Sequence, residues 1–309
     1  MNYTKIIGTG ICLPEVYITN DDLINKFKLD TTNEWIVENT NIRQRYICKD
    51  GETSTSLGCT AVKQAIENAN LKNEDIDMLI VATTSPDKVS PSTACLIKDE
   101  LKLEKAIAFD IAAVCSGFLF GMSVAEKYIS SGMCKNIVVV GVDRFSKITD
   151  WNHKHSIFFG DGAGAAVLSQ SKTKGFHGFT LYSESENKIG FECEFNETYK
   201  MNTKMVYEAA IKTMPIAIED VLNNENMSID DIDYLIPHQP SIRILKEVAK
   251  RINMPEEKVM MNMDKYANTV SGTIPILLHE TWSKLKPGDK ILFAAIGSGW
   301  TYGAALYEF

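Results

Sequence analysis

A seven-residue pattern occurs twice in this chain of 309 residues and restricts what it can fold into. Glu74-Asp75-Ile76-Asp77-Met78-Leu79-Ile80 returns as Asp230-Asp231-Ile232-Asp233-Tyr234-Leu235-Ile236. Each copy follows a stretch of helical apolar spacing, Ala61 to Asn70 and Ala209 to Leu222. Each copy ends in a run that reads as a buried strand. A second echo comes later in each half: Gly164-Ala165-Ala166-Val167-Leu168 and Gly303-Ala304-Ala305-Leu306-Tyr307, both behind glycine-rich turns. Two echoes in the same order predict two related halves, 1–170 and 171–309. The polar stretch 171–200 joins them and predicts loops and edge strands.

Within the first half, strand-like runs at 5–13, 77–83, 106–109 and 135–141 alternate with helical spacing. The helical segments are Asp21 to Phe27 behind Asn20, a second opening at Thr32, then 55–69 and 91–101. This alternation predicts an α/β protein with a largely parallel sheet.

Composition narrows the function. The chain is 45% hydrophobic and 23% charged, with a net charge of −8. That sign argues against nucleic acid or an anionic membrane as the main partner. The longest apolar run, Ile111 to Ala125, is too short for a membrane span and contains glycines. The opening MNYTKIIGTG has no long apolar segment of the secretory kind. Seven cysteines, with no C-x-x-C pair, form neither a disulfide framework nor a zinc ligand set. A reducing cytoplasm is the expected location. The glycine-rich stretches at Gly8 and Gly160 fit neither G-x-G-x-x-G nor the P-loop pattern. No nucleotide cofactor and no metal is expected.

Four features can carry chemistry. Cys115, in Asp110-Ile111-Ala112-Ala113-Val114-Cys115-Ser116-Gly117, falls where a strand gives way to a helix running to about Ser131. Free N–H groups and the helix dipole at such a junction favour thiolate over thiol. His238 follows the second-half strand directly, at the end of the strand where open α/β sheets place their ligands. Asn268 lies in a loop before a segment starting near Ile274. Gly297-Ser298-Gly299 follows the strand Lys290 to Ala295, and its backbone N–H groups could line an oxyanion site or close a tight hairpin.

Taken together, these residues resemble the thiolase-fold condensing enzymes, and most closely the ketoacyl-acyl-carrier-protein synthase III family. The resemblance covers nearly the whole chain. It rests on GTGICLP (8–14), TTNEWI (31–36), ATTSP (82–86), DIAAVCSGF (110–118), FGDGAGAAVL (159–168), IPHQPSIRI (236–244), YANTVSGTIP (266–275) and GSGWTYGAAL (297–306). It implies a five-layered αβαβα fold of two duplicated halves, a homodimer, and no metal or redox cofactor. It implies catalytic roles for Cys115, His238 and Asn268. Cys115 would take an acyl group from an acyl thioester, either acyl-CoA or acyl carrier protein, with the N–H groups of Cys115 and Ser298 holding the oxyanion. Malonyl-acyl carrier protein would then lose carbon dioxide, and His238 and Asn268 would stabilise the enolate that attacks the acyl group.

Substrate-binding positions carry over less evenly. Trp35 matches the tryptophan that commonly stacks on the adenine of CoA. Asn39 and a position near His153 fall where arginines are common. Ser241 stands for an asparagine and Ser298 for the middle glycine of three. Arg243 matches the arginine that contacts the carrier protein, with Lys250 and Arg251 beyond it, whereas Glu208 stands where a basic residue is common. Ser90 stands where acetyl-specific members often have a bulky residue, and implies a roomier acyl pocket across the dimer interface. These differences leave the acyl donor open between CoA and carrier protein. They also leave open acyl transfer to a hydroxyl or amine, and a non-catalytic role as partner subunit of a heteromeric synthase.

Overall fold

The repeated acidic turn does the same work in both halves. The Asp75 carboxylate accepts the Lys72 N–H at 2.8 Å, and Asp231 accepts the Ser228 N–H at 2.8 Å. Two residues on, Asp77 accepts the N–H groups of Lys135 and Asn136 at 2.6 and 3.0 Å. Its counterpart Asp233 accepts that of Lys290 at 2.8 Å. Each aspartate satisfies the first donors of the strand beside its own, so the two motifs set register as well as turn geometry. The computed structural model describes residues 2–185 and 190–309. Residues 186–189 of the joining stretch lie outside the described residues.

In the first half the elements are β1 (Tyr3–Cys12), α1 (Ser54–Asn68), β2 (Met78–Ala82), α2 (Thr93–Glu100), β3 (Ile107–Ile111), α3 (Gly117–Ser130), β4 (Asn136–Asp143) and β5 (Gly162–Ser171). The second half supplies β6 (Phe176–Ser183), α4 (Thr203–Asn224), β7 (Tyr234–Pro237), α5 (Ile242–Arg251), α6 (Thr273–Thr281), β8 (Lys290–Gly297) and β9 (Thr301–Glu308). The first sheet has the order β1-β5-β4-β2-β3 and the second β7-β8-β9-β6. Strand β5 carries the first copy of the glycine-alanine echo and β9 the second, each antiparallel to the strand beside it.

The sheets are mixed, not largely parallel as the alternation predicted. Pairs β2–β4, β2–β3 and β7–β8 are parallel, and the remaining pairs are antiparallel. The link between β8 and β9 is only Ser298-Gly299-Trp300, too short for a parallel crossover.

Three apolar clusters fill the four interfaces between five layers. Helices α1 and α2 pack on the outer face of the first sheet, where Val62, Ala65, Ile97, Val138 and Val167 are buried. Helices α4 and α5 cover the second sheet over Met214, Ile218, Leu245, Val248 and Leu306. Helices α3 and α6 lie between the sheets, with Phe118, Met122, Ile274 and Leu278 buried. Helix α3 has buried residues around most of its circumference, as a helix enclosed on two faces must. A short ribbon, Val16–Thr19 with Gln44–Ile47, and the helices Asn20–Phe27 and Asn33–Thr40 also belong to the first half in sequence. Their Leu23, Ile36 and Ile42 nonetheless join the core over the second sheet. That crossing carries Trp35 to the second half.

The halves come close together at Gly141 in β4. A methyl there would lie 2.1 Å from the carbonyl oxygen of Ser271, in the turn that leads into α6. No side chain fits unless that turn retreats. We expect Gly141→Ala to lower unfolding free energy by about 3 kcal/mol, in the range of an overpacked core. Urea denaturation checks it; a loss well under about 1 kcal/mol would mean that the turn gives way freely.

Candidate active site

Cys115 sits in a single tight turn, Val114–Ser116, between β3 and α3. Two contacts tie this turn to the second half. Ser116 Oγ lies 2.7 Å from Thr301 Oγ1, and the Ala113 carbonyl is within hydrogen-bond reach of both hydroxyls, so one of them donates to the other and the other to the carbonyl. A methyl at Gly297 would fall 2.8 Å from that same carbonyl oxygen and 3.0 Å from the Cys115 nitrogen, so only glycine allows β8 so near the cysteine. Val114 has φ +47°, a left-handed conformation that a β-branched residue adopts only under constraint. The strain sits one residue before the sulfur.

His238 follows β7, and its N–H donates to the Ala294 carbonyl of β8 at 2.8 Å. The ring is buried, with Nδ1 2.8 Å from Thr273 Oγ1. Asn268 is held between Ala267 at φ +57° and Val270 at φ +55°. Its Oδ1 accepts the Val270 N–H at 2.8 Å, which turns the Nδ2 donors the other way. The Asn268 N–H donates to the Phe158 carbonyl, and its own carbonyl accepts the Gly160 N–H. Asn268 therefore hangs on the segment that enters β5 of the first half.

The buried carboxylate of Asp143, at the end of β4, braces these parts. Its Oδ1 accepts from the N–H groups of Thr84 and Ser85 and from the hydroxyls of Thr83, Thr84 and Ser85. Its Oδ2 accepts from the N–H and hydroxyl of Ser271, at 3.1 and 2.5 Å. Ser271 stands three residues after Asn268 and two before Thr273. The sequence reading passed over Asp143, although an acid closing the apolar run Ile137–Val142 was a visible signal.

One cavity of about 720 Å³ is lined by Cys115, His238, Asn268 and Ser298. Phe145, Phe159, Phe191 and Tyr199 pack together against Cys115, with ring centroids 4.5–6.1 Å apart. None of these four rings was singled out from sequence. Ser298 Oγ donates to the Phe191 carbonyl at 2.6 Å, so the serine tethers the turn after β8 to this aromatic wall.

At the cavity mouth stand Trp35, Asn39, Lys154, Lys204 and Arg243. Trp35 is half exposed; its carbonyl accepts from Asn39, whose Oδ1 accepts from Arg243 at 3.0 Å. Ser241 caps α5 and also lines the cavity. His153 does not line it. Glu208 is exposed and pairs with Lys204. Ser90 lies on an exposed loop and does not line this chain's cavity.

Burial governs the electrostatics. It pushes the Cys115 thiol well above the usual cysteine range, with the Asp143 charge adding to the shift and the backbone N–H of Cys115 opposing it. The expectation of a resting thiolate is therefore overturned, since desolvation outweighs the helix start. Burial also lowers His238 to about 3. Both groups are neutral near pH 7. Among the described residues, no cluster of His, Cys, Asp or Glu could hold a metal ion. No described helix is long and apolar enough to cross a membrane. The seven cysteines are all free.

Comparison with known proteins defines the class and then the family. The crystal structure of 3-oxoacyl-[acyl-carrier-protein] synthase III from Aquifex aeolicus matches with a TM-score of 0.96 at 39% identity, covering 99% of this chain and 100% of that one. The Pseudomonas aeruginosa enzyme matches with a TM-score of 0.94 at 31% identity, covering 99% and 98%. The fold is the thiolase fold, and the class is the condensing enzymes. The sequence of a β-ketoacyl-[acyl-carrier-protein] synthase III from Methylococcus capsulatus is 37% identical, with 99% of each chain covered. Models of the 3-oxoacyl-[acyl-carrier-protein] synthase III domain and of its C-terminal domain match residues 109–185 and 222–309. The chain belongs to the 3-oxoacyl-[acyl-carrier-protein] synthase III family, and is a condensing-type transferase of fatty-acid biosynthesis.

The depressed His238 value fixes a pH dependence. Below its ordinary value the unfolded imidazole binds a proton that the folded one refuses until about pH 3. The stability from keeping it neutral is complete above pH 6.5 and is lost as pH falls from 6.5 towards 3, on the order of 5 kcal/mol in all. In urea titrations, His238→Gln should show a pH slope shallower by one proton between about pH 6 and 4. Identical slopes would mean that His238 is not buried neutral.

Proposed function

We propose that this chain loads an acyl group on Cys115 and condenses it with malonyl-acyl carrier protein. One observation carries the reading: Cys115, His238 and Asn268 come from three distant segments and line one cavity. The halves 1–170 and 171–309 then divide the work. The first supplies the nucleophile, and the second supplies the imidazole and carboxamide.

In the loading stage the sulfur attacks the thioester carbonyl, and the N–H groups of Cys115 and Ser298 hold the oxyanion. The donor thiol departs with the proton that Cys115 gives up, so the exchange is proton-neutral. In the second stage the malonyl carboxylate leaves as carbon dioxide. Its electron pair passes into an enolate whose oxygen takes hydrogen bonds from His238 and Asn268. The enolate carbon attacks the acyl carbonyl, the bond to sulfur breaks, and the Cys115 thiolate takes a proton from water. The carbonyl chemistry draws on no metal or redox group.

The acyl donor is a phosphopantetheine thioester, carried by CoA or by carrier protein. Lys154, Lys204 and Arg243 at the mouth suit its phosphate, and Trp35 and Ser241 flank the way in. The aromatic wall beside Cys115 bounds the acyl chain.

The active form is a cytoplasmic homodimer. Strand β3 stands at the edge of its sheet with Ile107 exposed, and Val89 on the nearby chain is 87% exposed. An open edge flanked by apolar side chains favours pairing with a second copy. Ser90 would then face the partner's acyl pocket. We expect Ile107→Asp to shift the protein towards monomer in sedimentation or size-exclusion measurements. An unchanged dimer would move the interface elsewhere, and a wild-type monomer would remove it.

Intact-mass spectrometry with a panel of acyl-CoA and acyl carrier protein donors tests the loading stage. The protein should gain one acyl mass, and Cys115→Ala should gain none. No gain with any donor contradicts the reading. Loading without carbon dioxide release from malonyl carrier protein would favour a hydroxyl or amine acceptor.

A further inference from the structure

The enolate step requires two donors. Asn268 is oriented to give one, because its oxygen is engaged by the Val270 N–H. Whether His238 gives the other depends on its tautomer, and a neutral imidazole carries its proton on one nitrogen only. With Nε2 bare, a lone pair would face the anionic oxygen.

The tautomer is set by the partner of Nδ1, which is Thr273 Oγ1 at 2.8 Å. That hydroxyl has one proton and two acceptors in reach: Nδ1, and the Val270 carbonyl at 3.0 Å. If the proton goes to the carbonyl, Oγ1 must receive Nδ1–H and Nε2 is bare. If it goes to Nδ1, Nε2 carries the hydrogen. The Val270 carbonyl already accepts the backbone N–H of Thr273, so it is satisfied without the hydroxyl. Nδ1 is within the buried ring of His238, and Thr273 is its hydrogen-bonding partner in the structure. Both arrangements satisfy Nδ1 and the hydroxyl; the need for a donor at Nε2 decides between them, because Nε2 carries the hydrogen only when Nδ1 accepts.

We propose that Thr273 is a positioning residue that donates its hydroxyl proton to His238 Nδ1 and thereby holds the ring in the Nε2–H tautomer. His238 is then a hydrogen-bond donor in the condensation stage from the outset. The same turn, Val270–Gly272, thus orients both donors: its first N–H aims Asn268, and the residue after it aims His238. This inference rests on the condensation reading, and the tautomer is tested apart from it.

Nitrogen-15 NMR of histidine-labelled enzyme reads the tautomer directly. Wild-type His238 should show Nδ1 in the unprotonated range and Nε2 in the protonated range. The reverse assignment overturns the proposal, whether or not the enzyme condenses. Thr273→Val keeps the shape and removes the hydroxyl. It should lose the single-tautomer signature and slow condensation by roughly 10- to 100-fold, the scale of partners that orient a functional imidazole. Acylation of Cys115 should continue at the wild-type rate. Thr273→Ser should restore both tautomer and rate. Wild-type condensation by a folded Thr273→Val would also overturn the proposal. Failure of the wild type to acylate at all would instead count against the function proposed above.

Discussion

The site depends on one buried carboxylate. Asp143 ends β4, takes five donors from the turn at Thr83–Ser85 on one oxygen and two from Ser271 on the other. Burial raises the cost of its charge, and those hydrogen bonds offset it. The result joins a first-half sheet to the second-half turn that aims Asn268 and leads to Thr273. Gly141, two residues earlier, lets the backbones meet there. Without this join, the cysteine and the imidazole–carboxamide pair would belong to two independently placed halves.

The backbone around the site is held in costly conformations. Val114, Ala267 and Val270 have positive φ, and each stands within two residues of Cys115 or Asn268. Such residues persist where their surroundings over-determine them. Here the surroundings are the Ser116–Thr301 hydroxyl pair, the Gly297 approach and the Asp143 brace. The same enclosure keeps both Cys115 and His238 neutral at rest, so the site avoids the cost of a buried ion pair.

Much of the fold was legible in the sequence because the repeat is written in residues with fixed jobs. Asp75 and Asp231 make a turn, and Asp77 and Asp233 pin a neighbouring strand, in ways that do not depend on the rest of the molecule. Cys115, His238 and Asn268 were legible through their motifs, and the structure gathers them in one cavity. The direction of strands was less legible: alternation of helix and strand does not reveal that Ser298–Trp300 closes a hairpin. The resting state of Cys115 was misread because a helix start is local, whereas desolvation depends on everything packed around the sulfur. Asp143, Thr273 and the aromatic wall escaped notice for the same reason. Each acts through a partner far away in the chain, as Asp143 does through Ser271 and Phe191 through Ser298.

The central claim is a division of labour between the cysteine of one half and the imidazole and carboxamide of the other. The direct measurement is a paired assay of His238→Ala and Asn268→Ala, scoring acyl mass on Cys115 and carbon dioxide release from malonyl carrier protein in the same samples. The account predicts that both variants still acquire the acyl mass and that carbon dioxide release falls by about 100-fold or more, the scale of a lost oxyanion donor. Undiminished carbon dioxide release in either variant would contradict it.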